Sequence, residues 1–313
     1  MVGSVTIRLG LQIPNFSYGT GVAEMFPTVI AQAREAEAAG FDSVFLMDHF
    51  YQLPGLGTPD QPMLEAYTAL GALAAATERV QLGTLVTGNT YRQPTLLAKA
   101  ITTLDVISQG RAVLGIGTGW FELEHDSLGY EFGTFTDRFN KLGEALDIIL
   151  PMLAGERPTV SGKYYRTQEA MAEPRFRDHV PLMIGGSGEK KTIPLAAKHF
   201  DHLNIIAGFD ELPRKLQVVK ERCEEIGRDP ATLETSMLVV AMIDENVTAD
   251  LIPEDFRQQA VFGSPEQVAE QVKEKVLDAG VDGVILSPVT SINGYQPGGA
   301  TAVAELLKPH LGL

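Results

Sequence analysis

The feature that most constrains this chain is an internal repeat. Ala39-Gly40-Phe41-Asp42-Ser43-Val44-Phe45-Leu46 recurs with nearly the same residues as Ala279-Gly280-Val281-Asp282-Gly283-Val284-Ile285-Leu286. Lys198-His199-Phe200-Asp201-His202-Leu203-Asn204-Ile205 is a looser third copy. In each, a helix stop is followed at once by an apolar strand, which is how one βα unit closes onto the next. Repetition of that unit argues for a closed ring of parallel strands.

Taken in order, apolar runs predict strands at 5–13, 43–47, 80–87, 111–117, 181–185, 202–206, 235–243 and 282–287. Helical periodicity falls between them, at 24–39, 63–77, 94–108, 136–153, 188–199, 210–227, 265–280 and 297–310. Pro94 and Pro265 suit first helical positions, and Ser264-Pro265-Glu266-Gln267 has the form of a capping box. Strand then helix, eight times, reads as an α/β protein of the (β/α)8 TIM-barrel class, a single domain over 1–313. An open doubly wound sheet is the runner-up, but no break marks a second domain. Two connections exceed what a barrel needs: Thr118 to Thr136 after strand four, and Gly155 to Val180 before strand five. The second carries Lys163-Tyr164-Tyr165-Arg166-Thr167, which predicts a small extended excursion.

A net charge of −15 opposes binding to nucleic acid or an anionic membrane, since both need basic patches. A phosphate-bearing ligand must therefore be held by local features. The one cysteine, Cys223, excludes an intramolecular disulfide and reads as a structural thiol in a reducing compartment. No secretory signal is expected ahead of the apolar run Val5–Ile13, and no apolar stretch reaches the roughly 18 residues of a membrane span. A cytoplasmic location is the expectation.

Active sites of such barrels lie where the strands end, so the residues just beyond each apolar run are the candidates. The fourth run empties into Val113-Leu114-Gly115-Ile116-Gly117-Thr118-Gly119-Trp120-Phe121-Glu122-Leu123-Glu124-His125. Its third glycine falls at Gly119, where a dinucleotide fingerprint would need it at Trp120, so a Rossmann site is not indicated. His49 follows the second strand and is the leading proton-transfer candidate, with Asp48 beside it to orient a ligand or accept a hydrogen bond. His125 reads either as a second acid/base group or as a fixture of the loop around Trp120. Gly185-Gly186-Ser187-Gly188, ahead of a helix expected near Glu189, reads as a phosphate site, with Lys190 and Lys191 adding positive charge. Trp120 and Tyr91 either stack on a planar ring or pack a lid. The six histidines show no H-E-x-x-H spacing, so no metal is expected, and His199 and His202 fall at the opposite barrel end.

Several stretches together carry a resemblance: Leu9–Phe16 (LGLQIPNF), Phe45–Phe50 (FLMDHF), Leu82–Pro94 (LGTLVTGNTYRQP), the Val113–His125 run and Met183–Thr192 (MIGGSGEKKT). The chain resembles the luciferase-like flavin and deazaflavin oxidoreductases, and within them the actinobacterial branch that uses coenzyme F420. The resemblance implies hydride transfer between F420 and a small organic substrate, in a homodimer. It places Asp48 and His49 beside the deazaflavin ring, and implies a non-prolyl cis peptide at Leu85-Val86 that backs the ring. Thr87, Thr118 and Gly119 match cofactor contacts, and Gly186, Ser187 and Gly188 match the phosphate-binding turn. Trp120 stands where the F420-dependent sugar-phosphate dehydrogenases carry a glutamate acid, so their proton donor and substrate do not carry over to this chain from the resemblance. Trp120, Glu124 and His125 are then expected on the substrate side. An FMN-dependent monooxygenase on the same fold is the alternative, and a cofactor-binding protein without turnover is a third reading.

Overall fold

The computed structural model describes residues 7–252, 257–289 and 295–313. Its strands are β1 (Leu9–Ile13), β2 (Ser43–Leu46), β3 (Gln81–Thr84), β4 (Thr87–Gly88), β5 (Ala112–Gly117), β6 (Leu182–Gly185), β7 (His202–Ile205), β8 (Glu234–Ile243), β9 (Ala260–Gly263) and β10 (Gly283–Pro288). Parallel pairing runs β10-β1-β2-β3-β5-β6-β7-β8, and β8 pairs with β10 to close the ring. The closed (β/α)8 barrel is therefore the architecture, and the open doubly wound sheet is not. The first predicted strand began at residue 5, and its first two residues lie outside the described residues.

Eight helices of the barrel and its insertions lie on the outer side or at the rim: α1 (Val22–Ala39), α2 (Ala66–Ala76), α3 (Pro94–Ser108), α4 (Glu122–Leu128), α5 (Phe135–Leu153), α6 (Thr192–His199), α7 (Leu212–Glu225) and α8 (Pro265–Lys275). The last described helix, α9 (Gly299–Leu311), packs beside α8 and α1. The Ser264 capping box is formed, with Ser264 Oγ accepting from Gln267 N and Gln267 Oε1 from Ser264 N.

Why the repeat recurs is visible at the amino ends of the strands. Asp42, just before β2, accepts the Leu9 N–H of β1 at 2.9 Å. Asp282, just before β10, accepts the Thr235 N–H of β8 at 2.8 Å. Asp201, just before β7, accepts the Leu182 N–H of β6 at 2.9 Å. Each carboxylate satisfies an N–H at the start of the neighbouring strand that no strand residue reaches, and so fixes the register of that pair. The repeat serves the stabilising end of the barrel, away from the strand mouths.

The predicted strand 80–87 is observed as two pieces. Gly83 pairs with Val113 and Thr87 with Ile116, so four residue steps on one strand face three on the other. The extra residue is a bulge. It brings β3 close to β5, and a Cβ on Gly115 would lie 2.1 Å from the Thr84 carbonyl oxygen, which explains glycine there. The Leu85-Val86 peptide within the bulge is cis, as the resemblance implied.

Three features differ from the sequence reading. β9 was not foreseen; it pairs with the upper half of β8, Val240–Ile243, while β7 pairs only with Glu234–Met237, so β9 raises the wall at the strand mouth. The short helix α4 lies inside the first long connection. Helix α6 starts at Thr192, not near Glu189: Lys191 ahead of it has φ −133°, outside the helical range, and the Glu189 carboxylate turns to Lys215 and Arg214 of α7 at 2.9 and 2.8 Å. The excursion before strand five is present: Ser161 and Arg166 form an antiparallel bridge, and Glu144 of α5 accepts the N–H groups of Lys163, Tyr164 and Tyr165.

Most of the apolar core lies between sheet and helices. The barrel interior holds a smaller cluster of Ile7, Phe45, Leu85, Val113, Met183 and Ile285, which plugs the ring and supports the site above it. Cys223 is buried and free. Among the described residues, no helix is long and apolar enough to cross a membrane.

Candidate active site

Above the interior plug, the carboxyl ends of the strands open into a cavity of about 400 Å³. Its floor is the bulge. The Val86 side chain sits between two glycines of neighbouring strands: a Cβ on Gly117 or on Gly185 would come within 3.0 Å of a Val86 methyl. One wall is the turn after β5, where Gly119 has φ +78° and its carbonyl accepts from Arg138 Nε at 3.0 Å. A Cβ there would meet the Thr90 hydroxyl at 2.4 Å, so both backbone angle and space require glycine. The opposite wall is the turn after β6, Gly185 to Ser187, and the rim carries exposed Trp120 and Ile206.

His49 enters from the end of β2. Its Nδ1 lies 2.9 Å from Glu124 Oε2, and the rings of Trp120 and Phe121 meet it edge-on at 5.7 and 5.8 Å. Glu124, on the first turn of α4, is fully buried and also accepts the N–H groups of Phe50 and Tyr51 and the Tyr91 hydroxyl. Burial works to raise its pKa, but the His49, Tyr91 and Tyr51 hydrogen bonds outweigh burial and hold it below the ordinary carboxylate value. The phenol of Tyr91 is pushed far upward by burial and by Glu124, so it stays protonated and donates.

Asp48 is 2% exposed and is held by both Arg92 guanidinium nitrogens, at 2.6 and 2.9 Å. Burial pushes its pKa above the ordinary carboxylate value, and the two-bond contact to Arg92 offsets that only in part. Arg92 also bonds Glu65 and lies 4.7 Å over the Tyr67 ring. Thr87 is tied inward by hydroxyl contacts to Tyr67 and to Thr84, the latter at 2.7 Å. Burial, with Asp48 nearby, pushes the Tyr67 phenol up to about 12.

The family model described as luciferase-like monooxygenase matches residues 7–249. The chain belongs to the luciferase-like family. Over 160 residues this luciferase-like protein is 43% identical to the F420-dependent glucose-6-phosphate dehydrogenase of Microbacterium testaceum (strain StLB037), a match covering 50% of this chain and 46% of that relative. The chain thus spans less than half of that relative's length. The enzyme of the same name from Nakamurella multipartita is 35% identical over 239 residues, covering 73% of this chain and 68% of the other. Among solved structures, an F420-dependent secondary alcohol dehydrogenase in complex with an F420-acetone adduct superposes with a TM-score of 0.82 at 21% identity, covering 98% and 99% of the two chains. At that identity the likeness concerns the fold.

In this luciferase-like barrel, one cavity brings together His49, Asp48, Leu85, Val86, Thr87, Thr118, Gly119, Trp120, Gly186 and Ser187. Gly188 falls just outside its lining, and Gly185 takes that place. The helix start expected near Glu189 is corrected, since α6 begins at Thr192, and it is the turn itself that faces the cavity. Glu124 and His125, expected on the substrate side, do not reach the cavity. Both are fully buried, Glu124 beneath His49 and His125 between Thr90 Oγ1 at 2.7 Å and the Phe121 carbonyl at 2.8 Å. His125 fixes the loop around Trp120, one of the two roles left open for it. Tyr91 closes the cavity from below with its hydroxyl on Glu124, and so acts as packing under the site. Arg92, which lies within the Leu82–Pro94 stretch, and Ile206 on the rim have no role that local sequence pattern marks.

Proposed function

We propose that this protein is an F420-dependent oxidoreductase that moves a hydride between the deazaflavin and a small organic substrate. The observation that carries this reading is the convergence of His49, the Leu85–Thr87 bulge, Thr118–Trp120 and Gly186–Ser187 on one cavity. The residues fit the cofactor. The volume lies within the range of ligand sites, and a floor and walls built from the backbone of Gly117, Gly119, Gly185 and Gly186 let a planar ring approach closely. F420, when bound, supplies the carbon that takes or gives the hydride.

The chain's own residues supply position and proton handling. Val86 offers an apolar floor to the ring, and the Thr118–Gly119 and Gly186–Ser187 turns present backbone polar groups to its edges and phosphate. His49 Nε2 takes the substrate hydroxyl proton in the oxidising direction and returns it in the reducing direction. Trp120 and Ile206 give the substrate side an apolar rim. The same proposal includes a homodimer in the cytoplasm, with the assembly checked by light scattering of the purified protein.

Parallel titration of the purified protein with F420 and FMN tests the cofactor, and preference for FMN would move the protein to the flavin monooxygenases of this family. His49→Ala should leave F420 affinity largely intact and lower turnover by about 10²- to 10⁴-fold. Unchanged turnover would remove His49 from the mechanism.

A further inference from the structure

We propose that Glu124 is a positioning residue that fixes His49 in the Nδ1–H form and leaves Nε2 as the proton acceptor facing the cavity. The assignment stands on hydrogen-bond geometry, and its consequence for turnover rests on the oxidoreductase reading above.

Every neighbour of the Glu124 carboxylate is a donor. Oε1 receives the backbone N–H groups of Phe50 and Tyr51, the latter at 2.8 Å. Oε2 receives the Tyr91 hydroxyl and lies 2.9 Å from His49 Nδ1. An ionised carboxylate only accepts, so Nδ1 must carry a hydrogen. A neutral imidazole has one N–H, which leaves the lone pair on Nε2. Among the described residues, no protein group bonds Nε2, and His49 itself lines the cavity. When Nε2 takes a proton, the imidazolium charge forms against a buried anion already held by three other donors, an arrangement that needs no rearrangement at that moment. The contact is built by sequence-distant pieces: His49 at the end of β2 and Glu124 on the first turn of α4, 75 residues apart.

Glu124→Gln tests this without a change of shape. The two backbone N–H groups on Oε1 keep the amide oxygen at that position, which turns the amide NH₂ toward Nδ1. Nδ1 must then accept, the ring hydrogen moves to Nε2, and the cavity-facing atom changes from acceptor to donor. Nitrogen-15 histidine spectra of the unliganded protein report which ring nitrogen carries the hydrogen, independently of activity. The expected result is Nδ1–H in the parent and in Glu124→Asp, and Nε2–H in Glu124→Gln. Turnover of Glu124→Gln should fall by about 10²-fold or more, toward that of His49→Ala, with F420 affinity retained. An Nε2–H signal in the parent overturns the proposal even if Glu124→Gln does not fold. So does an inverted tautomer with parental turnover. Absence of F420-dependent turnover in the parent defeats the oxidoreductase reading instead, and leaves the tautomer to the spectra.

Discussion

Asp48 and Arg92 show what single side chains contribute beneath the cavity. Their side chains are 1% and 10% exposed, so removal of one strands the other as a buried charge. Arg92→Met should lower stability by about 3–5 kcal/mol, read as a lower urea midpoint. Its partner lies 44 positions away in sequence, which is why the arginine was visible as a residue but not as a role. His49 was legible for the opposite reason: a titratable group directly after a buried strand declares its place from local pattern alone. Glu124 sat two helical residues into an unforeseen helix, so nothing local distinguished a buried acceptor from a group at the mouth. Gly119 offers a second test at this scale. With φ +78° and the Thr90 hydroxyl 2.4 Å from the position of a Cβ, Gly119→Ala should cost at least about 1–2 kcal/mol. F420 affinity should fall with it, measured by fluorescence titration.

The eight barrel strands were legible because parallel strands covered on both faces read as uninterrupted apolar runs. β9 was not, since four residues give too short a run to separate from a loop. The bulge that divides the third strand was invisible to periodicity, and the resemblance pointed only to the cis peptide inside it. Elements at the amino ends of the strands are tied by carboxylates, and one more of these ties offers a pH test. Glu37, near the end of α1, accepts the N–H groups of Glu78, Arg79 and Val80 ahead of β3. Partial burial works to raise its pKa, but those three N–H groups outweigh it and hold the folded-state value below the ordinary one. A depressed folded value means that the contribution is present at neutral pH and is lost as pH falls through that value. Glu37→Gln should therefore lower the urea midpoint at pH 7, and the gap from the parent should close in acid. A gap that stays constant with pH would assign the loss to packing.

At the scale of the molecule, a net charge of −15 faces a proposed cofactor whose tail is anionic. Long-range repulsion then slows encounter, and salt screens it. The association rate of F420, followed by stopped-flow fluorescence, should rise by about two- to threefold from low to physiological ionic strength. A falling rate would mean that local cations such as Lys190 and Lys191 govern the approach. The barrel also divides its own capacity for change. The floor exists because Gly117 and Gly185 lack side chains where Val86 sits, so any residue added there displaces the surface proposed to carry the ring. Trp120 and Ile206, on the rim, are exposed and leave that floor untouched when replaced. On the proposed reading, substrate preference can change at the rim while the cofactor seat stays unedited, and a designer seeking new specificity would work from the rim inward.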